Sequence, residues 1–152
     1  MSGGDRRAEP STRRSLSIAA AKPELRRLSD WLHVLVREDA LPEQAAFALD
    51  LGLHEAVANV IAHGFDDERP HTIVVTYEKW PDRVQLEVQD DGRPFDPLAA
   101  PPRPALTTLE DAIQWGHGLL FIRRFLDQVV YRRATGRNHL TLTQRLTTEP
   151  QE

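Results

Sequence analysis

Apolar residues recur along the chain at two periods, which divide it into helices and strands. From Leu25 to Val36 the spacing is helical, predicting an amphipathic helix that ends near Asp39. A second helix, rich in alanine and leucine, is predicted over residues 42–63, with Gly64 as its C-terminal cap. Alternation and β-branched residues predict strands over residues 71–80, 83–90, 129–133 and 139–146, and a short run over 15–21 predicts a first strand.

The segments between these elements favour short turns, with one exception. Residues 81–82 and 136–138 have the composition of hairpin turns. Residues 93–115 contain five prolines and no strong period, which is typical of a functional loop, with one helical turn expected within residues 106–114. A third helix is predicted over residues 118–127. The order β-α-α-β-β-loop-α-β-β predicts an α+β, two-layer sandwich with a mixed, mostly antiparallel sheet and its helices on one face.

Length and composition limit the class of protein. The chain has 152 residues, enough for one domain, with 40% hydrophobic and 28% charged residues. We expect a disordered tail over residues 1–13, a folded domain over 14–147 and a frayed tail over 148–152. The absence of cysteine excludes disulfides, thiolate zinc sites and a cysteine nucleophile. A net charge of -4 argues against a protein built to hold nucleic acid. We expect no membrane span and no signal peptide, and therefore a cytoplasmic protein.

One polar column stands out on the second helix. Glu55, Asn59 and His63 are spaced by four and share a helix face. A carboxylate and an amide oxygen one turn apart suit Mg²⁺, which completes its shell with phosphate and water. The alternative is a solvated helix face.

Two further motifs carry glycines at element ends. Asp90-Asp91-Gly92 directly follows a strand, where glycine allows a tight turn and a carboxylate can accept a hydrogen bond from an exocyclic amine such as that of adenine. Gly116-His117-Gly118 precedes the third helix, where bare backbone N–H groups can meet phosphate. Taken alone, the first motif is typical of an ordinary Asp-Gly turn and the second of a flexible hinge.

Together, in this order, the three motifs resemble the Bergerat-fold ATP-binding domain of gyrase-type ATPases, histidine kinases and anti-sigma factor kinases. The chain is most similar to small anti-sigma regulatory kinases of the RsbW type. The resemblance extends over residues 16–146 and is carried by four segments, HEAVANVIAHGF, DDGRPFDP, IRRFLD and GRNHLTL.

The resemblance implies a role for each matching residue. Glu55 is implied as the general base, and Asn59 as the oxygen ligand of a Mg²⁺ that bridges the ATP phosphates. Asp90 is implied to bind the adenine amine, with Gly92 allowing close approach and Thr141 reaching Asp90 or the base through a water. The residues implied to line the phosphates are Gly116, His117, Gly118 and Leu119.

The function implied by the resemblance is a Mg²⁺-dependent protein serine/threonine kinase that is also an anti-sigma factor. Such proteins bind a sigma factor and phosphorylate a STAS-type anti-anti-sigma antagonist, without contacting nucleic acid or membrane directly, and are often homodimers. A non-catalytic interaction module of the same fold is the alternative; a histidine-kinase ATPase fragment is a third, disfavoured because we expect no phosphoacceptor helix pair before residue 15. Pro94 and Trp115 depart from the family pattern and are expected to stiffen or crowd the site.

Overall fold

The computed structural model describes residues 8–99, 108, 110 and 118–146. Residues 8–99 form two helices and three strands, and residues 118–146 form a short helix, a 3-10 turn and a hairpin. The elements are β1 (Thr12–Ala19), α1 (Glu24–Glu38), α2 (Glu43–His63), β2 (Thr72–Trp80), β3 (Arg83–Asp90), α3 (Gly118–Ile122), β4 (Gln128–Ala134) and β5 (Arg137–Arg145), with a 3-10 turn at Arg123–Phe125.

The five strands form one open sheet in the order β1-β2-β3-β5-β4, antiparallel at each of its four pairings. The pairing of β3 with β5 matters most for the site. Its register sets Asp90 opposite Asn138 and Glu87 opposite Thr141. The predicted α+β sandwich is therefore confirmed, with a sheet that is antiparallel throughout these strands.

The core lies between one face of this sheet and the helices. Alternate residues of the strands point towards it, so that Ile73, Val75 and Leu86 are fully buried. Leu32 of α1 and Leu49 of α2 belong to the same apolar cluster. Burial of this apolar face drives the two layers together, and it places the polar column of α2 over the edge of the core.

Asp39 fastens the end of α1 to the sheet. Its Oδ2 accepts a hydrogen bond from the Tyr77 hydroxyl at 2.8 Å, and its Oδ1 accepts one from the Thr12 hydroxyl at 3.1 Å. Burial, together with the Asp39 carboxylate, raises the pKa of Tyr77. One carboxylate thereby joins α1 to both β1 and β2.

Three sequence predictions need correction. The first strand begins at Thr12, inside the segment predicted as a disordered tail, and Ala8 accepts a hydrogen bond from the Trp80 indole. The third helix ends at Ile122 and continues as a 3-10 turn, five residues short of its predicted end. The last turn lies at Thr135 and Gly136, which both have positive φ, so that Asn138 belongs to β5 rather than to the turn.

Among the described residues, helix α2 is long and apolar enough to match a membrane span by length and composition alone. Half of its apolar window is buried inside the fold. It packs Leu49, Leu53 and Val57 into the core and also buries the Glu55 side chain. These contacts are those of a central core helix.

Candidate functional site

The polar column of α2 is buried at its first two positions. Glu55 is 5% exposed and Asn59 is 4% exposed. The alternative of a solvated helix face is therefore excluded for these two residues. Burying a carboxylate and an amide is unfavourable unless something compensates for their lost hydration, so their position calls for a partner.

The Glu55 side chain lies against the start of α3. A Cβ built on Gly118 would lie 2.8 Å from Glu55 Cγ and closer still to its carboxylate. Burial raises the pKa of Glu55, and the nearby His54 lowers it in part. The structure therefore brings Gly118 of the third sequence motif against the Glu55 carboxylate of the first.

Asn59 has a donor without an acceptor. Its Nδ2 is buried and has no hydrogen-bond partner among the residues that the structure describes. Buried polar groups are nearly always paired in native proteins, so an unpaired one calls for an explanation such as a ligand or an ordered water. The amide also carries an oxygen of the kind that Mg²⁺ accepts, one helical turn from the Glu55 carboxylate.

The second motif lies at the end of β3. Asp90 is 4% exposed, and its Oδ1 accepts a hydrogen bond from the Gly92 backbone N–H at 2.9 Å. A Cβ on Gly92 would lie 2.9 Å from that oxygen and 3.0 Å from the Gly64 carbonyl carbon. Glycine is thus required here because the loop passes directly against the end of α2.

The loop that follows Gly92 is held by hydrogen bonds from two directions. The Arg93 backbone N–H donates to the Gly64 carbonyl at 2.9 Å, and its Nε donates to the His63 carbonyl at 2.8 Å. From the other side, Arg133 donates to the Gly92 carbonyl at 2.7 Å. These contacts fix the start of the loop beside Pro94, where the family pattern has a second glycine.

A pocket lies between α2, the end of β3 and the β4–β5 hairpin. Its polar lining includes Asn59 and Asp90, and the Phe95 ring, which stacks on His63 with 5.6 Å between ring centroids, lines another part of it. The other lining residues are Ala56, Val60, Gly64, Val88, Pro97, Tyr131, Asn138 and Leu140. An apolar pocket with a few convergent polar groups is the usual form of a small-molecule site.

Asn138 occupies the place that the resemblance gave to Thr141. The Asn138 amide nitrogen donates to Asp90 Oδ1 at 3.0 Å. Thr141 lies three residues further along β5, on the opposite face of the sheet, and pairs with Glu87. The expected contact between Thr141 and Asp90 is therefore not made, and sequence reasoning missed Asn138 because it assigned that residue to the turn.

The remaining predicted site residues divide into two groups. Gly118 lies beside Glu55, while the Leu119 side chain is fully buried in the core. Gly116, His117 and Trp115 lie outside the described residues.

The sequence analysis also missed Tyr131 and Arg133. Alternation along β4 places positions 129, 131 and 133 on one face, and this pattern is the signal that could have found them.

Comparisons with known proteins identify the family of this chain. The histidine kinase-like ATPase domain family matches residues 18–144. The serine/threonine-protein kinase BtrW of Bordetella bronchiseptica is 35% identical over 113 residues, which cover 74% of this chain and 80% of that protein. The family match contains all of α2, β3 and β4, and with them Glu55, Asn59 and Asp90. The resemblance expected from the three motifs is thereby confirmed, and the chain belongs to the histidine kinase-like ATPase domain family.

Proposed function

We propose that this protein is an ATP-dependent protein serine/threonine kinase that sequesters a sigma factor and phosphorylates an anti-anti-sigma antagonist. One observation carries the proposal. Glu55 and Asn59 are buried one turn apart on the helix that lines a pocket ending at Asp90. Asp90 offers a hydrogen-bond acceptor for the nucleotide base, and Asn59 offers an oxygen ligand for a cation. Glu55 offers a carboxylate that can accept a proton.

The nucleotide base is assigned to the apolar part of the pocket. Val88 and Leu140 supply apolar surface from the sheet, and Ala56 supplies it from α2. No described residue donates a hydrogen bond to Asp90 Oδ2, so that oxygen is left for the adenine amine. Asn59 lines the pocket and Glu55 lies one turn before it on α2, beside Gly118, so these two residues are assigned to the phosphate end.

The residues present also fit a magnesium ion. Asn59 supplies the test: its side-chain oxygen is a ligand of the type that Mg²⁺ prefers, and its buried Nδ2, unpaired among the described residues, could donate to a phosphate oxygen. Asn59 Oδ1 would hold the ion. Bound Mg²⁺ supplies neutralisation of the phosphate charge.

Glu55 is the general base in this proposal. A serine or threonine hydroxyl oxygen of the protein substrate attacks the γ-phosphorus of ATP, and its proton passes to the Glu55 carboxylate. The new oxygen–phosphorus bond forms as the bond to the β-phosphate oxygen breaks, and ADP leaves. Burial raises the pKa of Glu55 and so strengthens it as a base at neutral pH.

The choice of a protein substrate rests on similarity. The related Bordetella protein is named a serine/threonine-protein kinase, which supports transfer to a hydroxyl of another protein. The likeness to RsbW-type regulators supports a sigma factor and a STAS-type antagonist as the partners, in the cytoplasm and with the kinase as a homodimer.

Binding and transfer are tested separately. ATP with Mg²⁺ should raise the melting temperature, because a ligand that binds only the folded state stabilises it. Purified antagonist candidates, recovered by pull-down from the native cell, are then incubated with labelled ATP. Glu55→Gln should bind ATP and fail to transfer phosphate, while Asn59→Ala should lose the Mg²⁺-dependent part of the melting shift.

The matched control is Glu43→Gln, the same chemical change at an exposed position of the same helix. It should bind and transfer as the wild type does. Absence of any melting shift at millimolar nucleotide would refute the nucleotide site. Binding without transfer to any recovered partner would refute the kinase and favour the non-catalytic module.

A further inference from the structure

Asn138 is a buried amide whose hydrogen-bonding capacity is fully used. It is 5% exposed. Its Nδ2 donates to Asp90 Oδ1 at 3.0 Å and to the Arg93 carbonyl at 2.8 Å. Its Oδ1 accepts from the Tyr131 hydroxyl at 2.5 Å and from Arg133 at 3.1 Å. A side-chain amide with two donors on one end and two acceptor positions on the other is satisfied by this set.

The partners fix which way round the amide lies. A guanidinium only donates, so the end of Asn138 that meets Arg133 has to be its oxygen. An ionised carboxylate only accepts, so the end that meets Asp90 has to be the nitrogen. Arg133 also donates to the Gly92 carbonyl, which ties the same guanidinium to the Asp90-Asp91-Gly92 motif.

The two oxygens of Asp90 are consequently unequal. Oδ1 receives both the Asn138 amide and the Gly92 backbone N–H. Oδ2 receives no hydrogen bond from any residue in the described part of the chain, and Asp90 lines the pocket. One oxygen is thus anchored to the protein and the other remains an acceptor for a ligand.

We infer that Asn138 is a positioning residue that makes the pocket selective for a 6-aminopurine over a 6-oxopurine. This inference rests on the proposed ATP site. By holding Asp90 Oδ1, Asn138 prevents the carboxylate from turning, and Oδ2 stays aimed at the base. A 6-amino group donates to that oxygen, whereas a 6-oxo group sets one acceptor against another and leaves Oδ2 unpaired.

The test measures the dissociation constants of ATP and GTP for the wild type and for Asn138→Leu. We expect ATP binding to weaken about tenfold or more, because the charge-assisted hydrogen bond from Asn138 to Asp90 is lost. GTP binding should change much less, so the ratio of the GTP dissociation constant to the ATP dissociation constant should fall. If Asn138 had only a structural role, the substitution would weaken the binding of both nucleotides equally and leave the ratio unchanged.

Arg133→Met is the second variant, and it keeps Asn138 in place. It removes the donor that sets the amide orientation and should contract the ratio in the same direction by a smaller factor. Arg132→Met is its matched control, since Arg132 is the preceding residue and lies on the opposite face of β4, paired with His139. The control should keep the wild-type ratio, and Arg133→Met decides the question if Asn138→Leu does not fold.

The outcomes separate this inference from the proposed function. A wild type that binds neither nucleotide overturns the proposed function itself. A wild type that prefers ATP, together with Asn138 and Arg133 variants that keep the same preference, overturns only the role given to Asn138. A ratio that contracts in Thr141→Val but not in Asn138→Leu would return the role to Thr141.

Discussion

Glu55 and Gly118, which are 63 positions apart in the sequence, are in direct contact: the carboxylate-bearing side chain lies where a Cβ of residue 118 would stand. The close approach accounts for glycine at the start of α3 by space alone. A residue with any side chain at this position would have to move either the helix or the proposed base.

Gly118→Ala therefore should destabilise the protein by about 1–3 kcal/mol, the usual cost of forcing an extra carbon into a packed site. Phosphate transfer should fall as well, because Glu55 is displaced. The measurement is chemical denaturation of four proteins, namely the wild type, each single variant and the pair Gly118→Ala with Glu55→Ala. In the Glu55→Ala background the added methyl meets no carboxylate, so its cost should largely disappear. An equal loss in both backgrounds would show that the strain comes from something other than Glu55.

The first half of the site is predictable from the sequence because its geometry is local. Residues four apart on a helix share a face whatever the tertiary fold, so the spacing of Glu55 and Asn59 is enough to pair them. The β2–β3 hairpin is equally local, and it places Asp90 at a strand end. Contacts across the sheet, such as that of Arg133 with Gly92, depend on registers that the sequence does not reveal.

Asn138 was missed for a specific physical reason. The turn before it uses Thr135 at φ 53° and Gly136 at φ 73°, and a β-branched residue rarely adopts a positive φ. The sequence pattern therefore favoured a turn at residues 136–138. Side chains alternate across a strand, so starting β5 after Asn138 hides that Asn138 faces the helices. The contact with Asp90 was therefore assigned to Thr141, which lies on the other face.

The same turn predicts a stabilising substitution. Two-residue turns with positive φ at both positions prefer asparagine followed by glycine. Thr135→Asn should raise the free energy of unfolding by about 0.5–1 kcal/mol, since it relieves the unfavourable backbone conformation at this position. Denaturant titration measures the change, with Thr76→Asn in the middle of β2 as a control that should not stabilise. A destabilised Thr135→Asn would show that threonine is held there by contacts that asparagine cannot make.

His71 joins the loop after α2 to the second motif. Its Nε2 lies 2.5 Å from Asp67 Oδ1, its Nδ1 lies 3.5 Å from Asp91 Oδ1, and the Phe65 ring stacks on it at 3.9 Å. The hydrogen bond to Asp67 is the main cause that raises the pKa of His71, against a smaller opposing effect of burial. The charged imidazole thus stabilises the fold below its ordinary pKa of 6.5, and this contribution is lost as pH rises through the raised value.

Asp67→Asn should lower the pKa of His71, which an NMR titration of the ring protons follows directly. The same substitution should flatten the fall of unfolding free energy with rising pH between 6.5 and the raised pKa. His71→Gln should remove the dependence as well. If the His71 resonance titrates identically in the wild type and in Asp67→Asn, the contact between His71 and Asp67 does not raise the pKa of His71.

Glu55 should link stability to pH with the opposite sign from that of a stabilising ion pair. Burial raises its pKa above the ordinary value of 4.5, so the ionised form is disfavoured in the folded protein. The folded state then binds more protons than the unfolded state between the two pKa values, and stability falls as pH rises through that window. Glu55→Gln stays neutral, so its stability relative to the wild type should increase over the same window. A difference between the two proteins that is constant with pH would show that Glu55 titrates in the folded protein as it does in the unfolded chain.

Catalysis should follow the same ionisation. A base must be deprotonated to accept the substrate proton, so the transfer rate should fall as pH drops through the raised pKa of Glu55. Because His54 opposes the shift, His54→Gln should move the midpoint of the rate profile to higher pH while leaving the plateau rate unchanged. A midpoint that moves down, or a plateau that falls without any shift, would mean that His54 acts on the site through packing instead of through charge.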